Sequence, residues 1–159
     1  MNFQRTKDYA MVRQILTAPD VYEHLGDDYT PHASQFVVNA HPDIWYVIAC
    51  HSGGLVGLFS LIPRNRVCFE LHACMMPDAY GHEKWEAARG LAPWISERMD
   101  CARLVAEVPR SNKPAIAFGV HGIGMRYVGT HPKAFMKYGK LQDLIILGMP
   151  INGSNGQGW

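Results

Sequence analysis

The chain has 159 residues, 48% of them hydrophobic and 18% charged, which suits one globular domain with a full core and excludes a disordered chain. A formal charge of +1 supplies no basic stripe for nucleic acid. The apolar runs are strand-length, so no membrane span is expected, and MNFQRTKDYA lacks the apolar stretch of a secretory signal, which points to a cytoplasmic setting.

In chain order, Asp8 is placed to cap a helix over Tyr9–Thr17 with Met11, Ile15 and Leu16 on its inner face. Pro19 and Asp20 start a second short helix toward Leu25. Gly26–Ser34 (GDDYTPHAS) predicts an exposed loop, a natural substrate lid in an enzyme, and Gln35–Asn39 a short strand. Ile44–Cys50, Leu55–Ile62 and Val67–Met76 are strand-like runs joined by the turns HSGG and PRNR, an antiparallel meander. A helical pattern runs from Gly81 to about Met99, with Gly90 and Pro93 expected to kink or split it. Cys101–Val108 follows that helix and should therefore lie parallel to the strand before it. Ser111–Gly122 predicts a further helix, with Gly124 ending it in a left-handed conformation, and Arg126–Thr130 and Leu141–Met149 predict the last strands.

The order predicts a single domain over residues 1–150 of the α/β (α+β) class, with one parallel pair inside a largely antiparallel sheet. Residues 151–159 form a polar, glycine-rich tail, expected to be loose unless something holds it. Trp45, Tyr46 and Phe59 read as core, and Asp143 as a pairing or turn residue. Cys50, Cys68, Cys74 and Cys101 show no CxxC spacing and sit in or beside apolar runs, so reduced core thiols are expected and no zinc site. His32, His121 and His131 likewise lack metal-ligand spacing.

The segment Phe69–Leu91 carries the most chemistry. A strand, a tight loop and a helix start leave backbone N–H groups converging on one spot, which suits an anion such as a pyrophosphate. Glu70, His72 and Cys74 alternate along the strand and so share one face. A Glu–His hydrogen bond within the sheet is a sufficient structural reason for the first two.

Three stretches in this order resemble the GNAT superfamily of N-acetyltransferases, over roughly residues 44–149. FELHACMMP has Glu70 seven residues before Pro77; LVAEVPRSNKPAIAF sets Asn112 between a strand and a helix; IGMRYVG is followed by YGKLQDLIILGM. The likeness is closest to the ribosomal-protein-alanine acetyltransferase branch and to phage-encoded members. It implies a three-layer fold whose central parallel strands splay apart, with acetyl-CoA in the gap and transfer of its acetyl group to an amine. In that reading Glu70 is the general base, directly or through water, and His72 relays the proton or holds Glu70 in place. Cys74 as an acyl-carrying nucleophile has no second feature behind it. Main-chain groups of Ala73, Cys74, Met75 and Met76 would hold the pantetheine arm, and Gly81, His82 and Lys84 the pyrophosphate. Asn112 either reaches the pantetheine or simply caps its helix.

Departures from the family pattern are equally specific. Tyr80 stands where Arg or Gln is usual, Glu83 where the middle glycine should be, and Trp85 where a small residue should be. A carboxylate aimed at a pyrophosphate is repulsive and an indole is bulky, so both argue against ordinary coenzyme binding. Gly119, beside Phe118, occupies the place of the tyrosine that protonates the leaving thiolate, and Gly122-Ile123-Gly124 carries one extra residue. The resemblance implies as acceptor an amine-bearing small molecule or a protein N-terminus. Its alternative, drawn from short-tailed phage relatives, is a non-catalytic head-assembly protein whose partners are other virion proteins. An oligomer is open in either case.

Overall fold

The computed structural model describes residues 1–151, and the expected tail beyond Ile151 lies outside the described residues. Strands β1 (Asn2–Thr6), β2 (Trp45–His51), β3 (Gly54–Pro63), β4 (Cys68–Met75), β5 (Arg103–Pro109), β6 (Arg126–Lys137) and β7 (Lys140–Pro150) form one sheet in the order β1-β2-β3-β4-β5-β7-β6. Neighbours are antiparallel except β4 and β5, which run parallel because helix α3 (Gly81–Arg98) carries the chain back between them. Helices α1 (Tyr9–Leu16) and α2 (Pro19–Leu25) cover one face, and α3 with α4 (Lys113–Ala117) the other, so the expected α/β three-layer arrangement is present. Among the described residues no helix is long and apolar enough to cross a membrane.

Each layer follows from local chemistry. Asp8 accepts a hydrogen bond from the Met11 N–H at 3.0 Å and so starts α1, whose buried side is Val12, Ile15 and Leu16. Ser52 (φ 49°) and Gly53 (φ 84°) both take left-handed conformations, which is the tight turn that matches strand twist and sets the β2–β3 register. The larger core packs Phe59, Leu61 and Leu71 of the sheet against Ala87, Leu91 and Ile95 of α3. The smaller core packs Tyr46, Leu58 and Cys74 against Val12, Leu16 and Val21. Burying a side chain such as Phe59 or Leu58, both wholly inaccessible, is worth about 1.5–3 kcal/mol.

Six expectations change. Asn2–Thr6 is an edge strand paired with β2, where the sequence pattern shows none. Gln35–Asn39 is not a strand: Ala33–Gln35 is a 3-10 turn, and the Arg13 guanidinium donates to the carbonyls of Ala33, Ser34 and Phe36, tying the segment to α1 instead of the sheet. Helix α3 runs unbroken through Gly90 and Pro93, with the Phe3 ring lying where a Gly90 side chain would be, 2.8 Å from an added Cβ. The helix expected over 111–122 is a short α4 followed by a π turn at Phe118–Ile123. Strand β6 continues to Lys137 past irregularities flanking residues 128 and 132–134. Ile151, assigned to the tail, is buried and donates its N–H to Ala102 O at 2.9 Å.

Candidate functional site

The β4–β5 ladder is short. Cys68, Phe69 and Glu70 pair with Arg103, Leu104 and Val105, yet the two strands continue to Met75 and Pro109. Beyond Glu70 they splay. The Met76 N–H donates to Val56 O at 2.9 Å, and strand alternation then turns the main-chain groups of Cys74 and His72 toward β3 as well. The same alternation leaves the N–H and C=O groups of Ala73 and Met75 facing the gap with no strand partner. Side chains of Leu71, Ala73 and Met75 from β4, and of Ala106 and Val108 from β5, line an apolar cavity of about 270 Å³ closed by Phe118.

The wall opposite the strands is the π turn. The N–H groups of Gly124 (3.1 Å) and Met125 (3.0 Å) both reach Gly119 O, and Gly124 takes φ 91°, so the extra residue seen in Gly122-Ile123-Gly124 is absorbed as a widened last turn. A Cβ at Gly122 would lie 2.8 Å from Ala88 Cβ and 2.9 Å from Trp85 Cζ3, so glycine there lets the turn sit against α3. Trp85 packs on Phe118 at 6.0 Å between ring centroids and is not one of the residues lining the cavity.

On the other face of the sheet, at the point of splaying, lies a charged cluster. Glu70 Oε1 is 3.0 Å from His72 Nε2, while its Oε2 accepts from Arg64 Nε (3.0 Å) and Nη2 (2.8 Å). Arg64 also donates to Glu107 Oε1, bridging β4 and β5 across the fork, and His131 Nε2 stands 3.8 Å from the same oxygen. His72, followed by Arg64, holds the Glu70 carboxyl below the usual carboxylate range, with partial burial acting in the opposite direction. Arg64, its guanidinium shared between two carboxylates, stays protonated more firmly still, Glu107 being the larger cause. Cys74 shares the face of Glu70 and His72 but is buried in the smaller core, where desolvation pushes its thiol up to about 11, a poor setting for a nucleophile.

The loop after β4 is built differently from an open anion cradle. Glu83 turns back to accept the Tyr80 N–H at 3.0 Å, capping α3 from within. Lys84 Nζ donates to Pro77 O at 3.3 Å, and the His82 ring stacks on Tyr80 at 5.9 Å. Gly81 has open space on its Cβ side. The slot is thus open and apolar, whereas the loop beside it holds a carboxylate at the start of α3. Asn112 Oδ1 accepts the Ala115 N–H at 3.2 Å and so caps α4; the residue also borders a separate cleft with Glu23 and Tyr138.

The segment expected to act as a lid is fastened down. Asp28 accepts the N–H groups of Tyr138 and Gly139, each at 2.7 Å, and Lys137 Nζ donates to Glu23 O (2.6 Å) and Gly26 O (2.7 Å). Those two carbonyls lie at the end of α2, where a cation also complements the helix dipole. Sequence reasoning missed Arg64 and Glu107. Glu107 carried a signal, a lone charge within the apolar run LVAEV, but Arg64 in the turn PRNR carried none. Among the described residues no group of three or more His, Cys, Asp or Glu is placed to hold a metal ion.

No protein-family model matches the chain, and no curated protein matches it in sequence. Solved structures match it in fold. The ribosomal-protein-alanine N-acetyltransferase of Brucella melitensis superposes with a TM-score of 0.71 at 19% identity, over 94% of this chain and 99% of that one. Spermidine N-acetyltransferase from Vibrio cholerae, solved in complex with CoA and spermine, gives 0.75 at 12% identity over 96% of each chain. An acetyltransferase of the GNAT family from Streptococcus pneumoniae gives 0.71 at 14% over 94% and 99%. The chain thus has the fold of these N-acetyltransferases, a mixed and mostly antiparallel sheet with a parallel central pair.

Proposed function

We propose that this protein is an N-acyltransferase that moves an acyl group from a pantetheine thioester to an amine. The observation that carries the reading is the apolar slot at the broken β4–β5 ladder, flanked by the unpaired main chain of Ala73 and Met75. A pantetheine arm is an extended chain with two amides, and it would add to β4 as a strand does, its amides answering those main-chain groups. CoA as the ligand of the Vibrio cholerae neighbour supports a donor of this kind, and an amine acceptor agrees with spermidine and ribosomal-protein alanine as the substrates named for two neighbours. A cytoplasmic setting, where acyl thioesters and amines meet, goes with this reading.

The acceptor nitrogen bonds to the acyl carbon as the carbon–sulfur bond breaks, the amine giving up one proton and the leaving sulfur taking one from water. His72 receives the amine proton. Its ring is half exposed, its Nε2 is held by Glu70, and its Nδ1 is left without a protein partner among the described residues, the arrangement of an oriented general base. Glu70, with both oxygens engaged and its pKa held down, is a weak base and a good orienting group. Of the main-chain contacts expected at 73–76, Ala73 and Met75 carry the donor in this scheme, Cys74 and Met76 facing β3 instead. No feature of the described residues favours the virion-assembly alternative.

Thermal unfolding with millimolar acetyl thioester tests the reading: binding at ten times Kd adds about 1.4 kcal/mol of stability and raises Tm. Release of free thiol with spermidine or an alanine-terminated peptide should accompany it. No shift and no thiol with either donor, acetyl-CoA or S-acetylpantetheine, overturns the proposal.

A further inference from the structure

The slot and the loop beside it disagree about what kind of donor this chain takes. The slot accepts an acyl-pantetheine chain, but the loop between β4 and α3 presents no cradle for the diphosphate that a coenzyme A donor carries. We infer that the donor is recognised by its acyl and pantetheine portions alone, with Glu83 as the residue that keeps a diphosphate from adding to binding. The inference rests on the N-acyltransferase reading above and concerns the chemical class of its donor: a pantetheine thioester whose far end makes no anion contact with the protein.

Four observations at the start of α3 carry it. The Glu83 carboxylate accepts the Tyr80 N–H at 3.0 Å, so a negative charge already occupies the mouth of the helix, where a phosphate would lie. The N–H groups of Gly81, His82 and Glu83 remain at that end, but an approaching diphosphate must come up against this carboxylate to reach them. Lys84, the nearest lysine in sequence, is already engaged by the loop's own carbonyl, Pro77 O, at 3.3 Å. His82 stacks on the Tyr80 ring at 5.9 Å. Trp85, one residue on, is packed against Phe118 and over Gly122, so the helix cannot roll to present a different turn without opening that contact. None of these α3 residues lines the slot, whose walls come from β4, β5, β7, α4 and the π turn with Met125 after it. Donor binding and diphosphate binding are thus built from separate parts, and only the first is in place.

The test is calorimetric titration of the intact protein with acetyl-CoA, S-acetyl-4′-phosphopantetheine and S-acetylpantetheine, in the wild type, Glu83→Gln and Glu83→Ala. Glutamine keeps the reciprocal cap and removes the charge, so that variant folds as the parent does; alanine also frees the Tyr80 N–H. The expected result is that the three donors bind wild type within about threefold of one another. Glu83→Gln should tighten acetyl-CoA by about tenfold and Glu83→Ala by more, S-acetylpantetheine changing less than twofold in either. Wild type preferring acetyl-CoA over S-acetylpantetheine by tenfold or more overturns the inference and leaves the N-acyltransferase reading standing. An acetyl-CoA affinity indifferent to both substitutions overturns it too. Failure of every donor to bind any of the three proteins overturns both.

Discussion

Replacing Glu70 by Gln and His72 by Ala separates the two roles assigned to the cluster. Glu70→Gln keeps an acceptor for the His72 Nε2–H, now at 3.0 Å, but removes the charge that answers Arg64 at 2.8 and 3.0 Å. Arg64 retains Glu107, so the guanidinium is not stranded. Arg64 and His72 are 43% and 47% exposed and Glu70 20%, which places the loss between the value of a surface pair and that of a buried charged hydrogen bond, about 1 kcal/mol. In a chain of this length that lowers Tm by about 2–4 °C. The pH dependence has a definite sign. The folded-state pKa is depressed, so the contribution is whole above the ordinary carboxylate value of about 4.3 and is lost as pH falls through the lower folded value. The stability gap between wild type and Glu70→Gln should thus hold from pH 7 to about pH 5 and close only under stronger acid, as read by urea denaturation. Single-turnover thiol release gives the catalytic half. His72→Ala removes the proton acceptor and should slow transfer by about 10²–10⁴. Glu70→Gln, which keeps the ring oriented, should slow it much less. Glu70→Gln as damaging as His72→Ala, with its fold intact, refutes the assignment of His72 as base.

Three further outcomes follow from the packing. Gly122→Ala forces a Cβ to within 2.8 Å of Ala88 and 2.9 Å of Trp85, and should cost about 1–3 kcal/mol in urea denaturation; an unchanged midpoint would mean the π turn does not press on α3. Asp28→Ala leaves the Tyr138 and Gly139 N–H groups without their acceptor, and amide exchange there should quicken by about tenfold or more, equivalent to the loss of about 1.5 kcal/mol. Cys74 and Cys101, both pushed up to about 11 by burial, should react with iodoacetamide at pH 8 at least about a hundredfold more slowly than free cysteine, followed by mass spectrometry of the folded protein.

Much of the fold was readable because it is local. The β2–β4 meander announces itself through alternating apolar residues and two turns, and α1 through the cap at Asp8. The β4–α3–β5 crossover fixes the parallel pair, because one helix carries the chain back before the next strand starts. What escaped is held by partners distant in sequence. Asn2–Thr6 (NFQRT) has little alternation and becomes a strand because β2 offers it an edge. The second half of β6 contains Pro132 and pairs only because β7 lies beside it. The π turn left a trace as one residue too many, and its geometry needed α3 to press against. The site divides the same way. Glu70 and His72 share a face by strand period, so their meeting was legible. Arg64 and Glu107 join them only through register: Glu70 lies opposite Val105, which sets Glu107 two residues on, beside the fork that Arg64 spans.

The slot and the cradle have different physical origins, and this explains why fold likeness speaks to one and not the other. A splayed parallel pair is a property of topology. Once β5, paired with β7 along its whole length, parts from β4 beyond Val105, and α4 with its π turn covers the opening, an apolar gap with unpaired main chain exists for many choices of side chain. Superposition at 12% identity can therefore carry it. An anion cradle is a property of a few residues. It requires the helix start to be empty and uncharged, and one carboxylate at Glu83, bonded to the Tyr80 N–H, is enough to fill it while leaving the backbone path unchanged. Such a substitution is invisible to a comparison of folds and plain in the sequence. The residue at position 83 thus decides what a shared fold leaves open, and the relative affinity for acetyl-CoA and S-acetylpantetheine reports that decision directly.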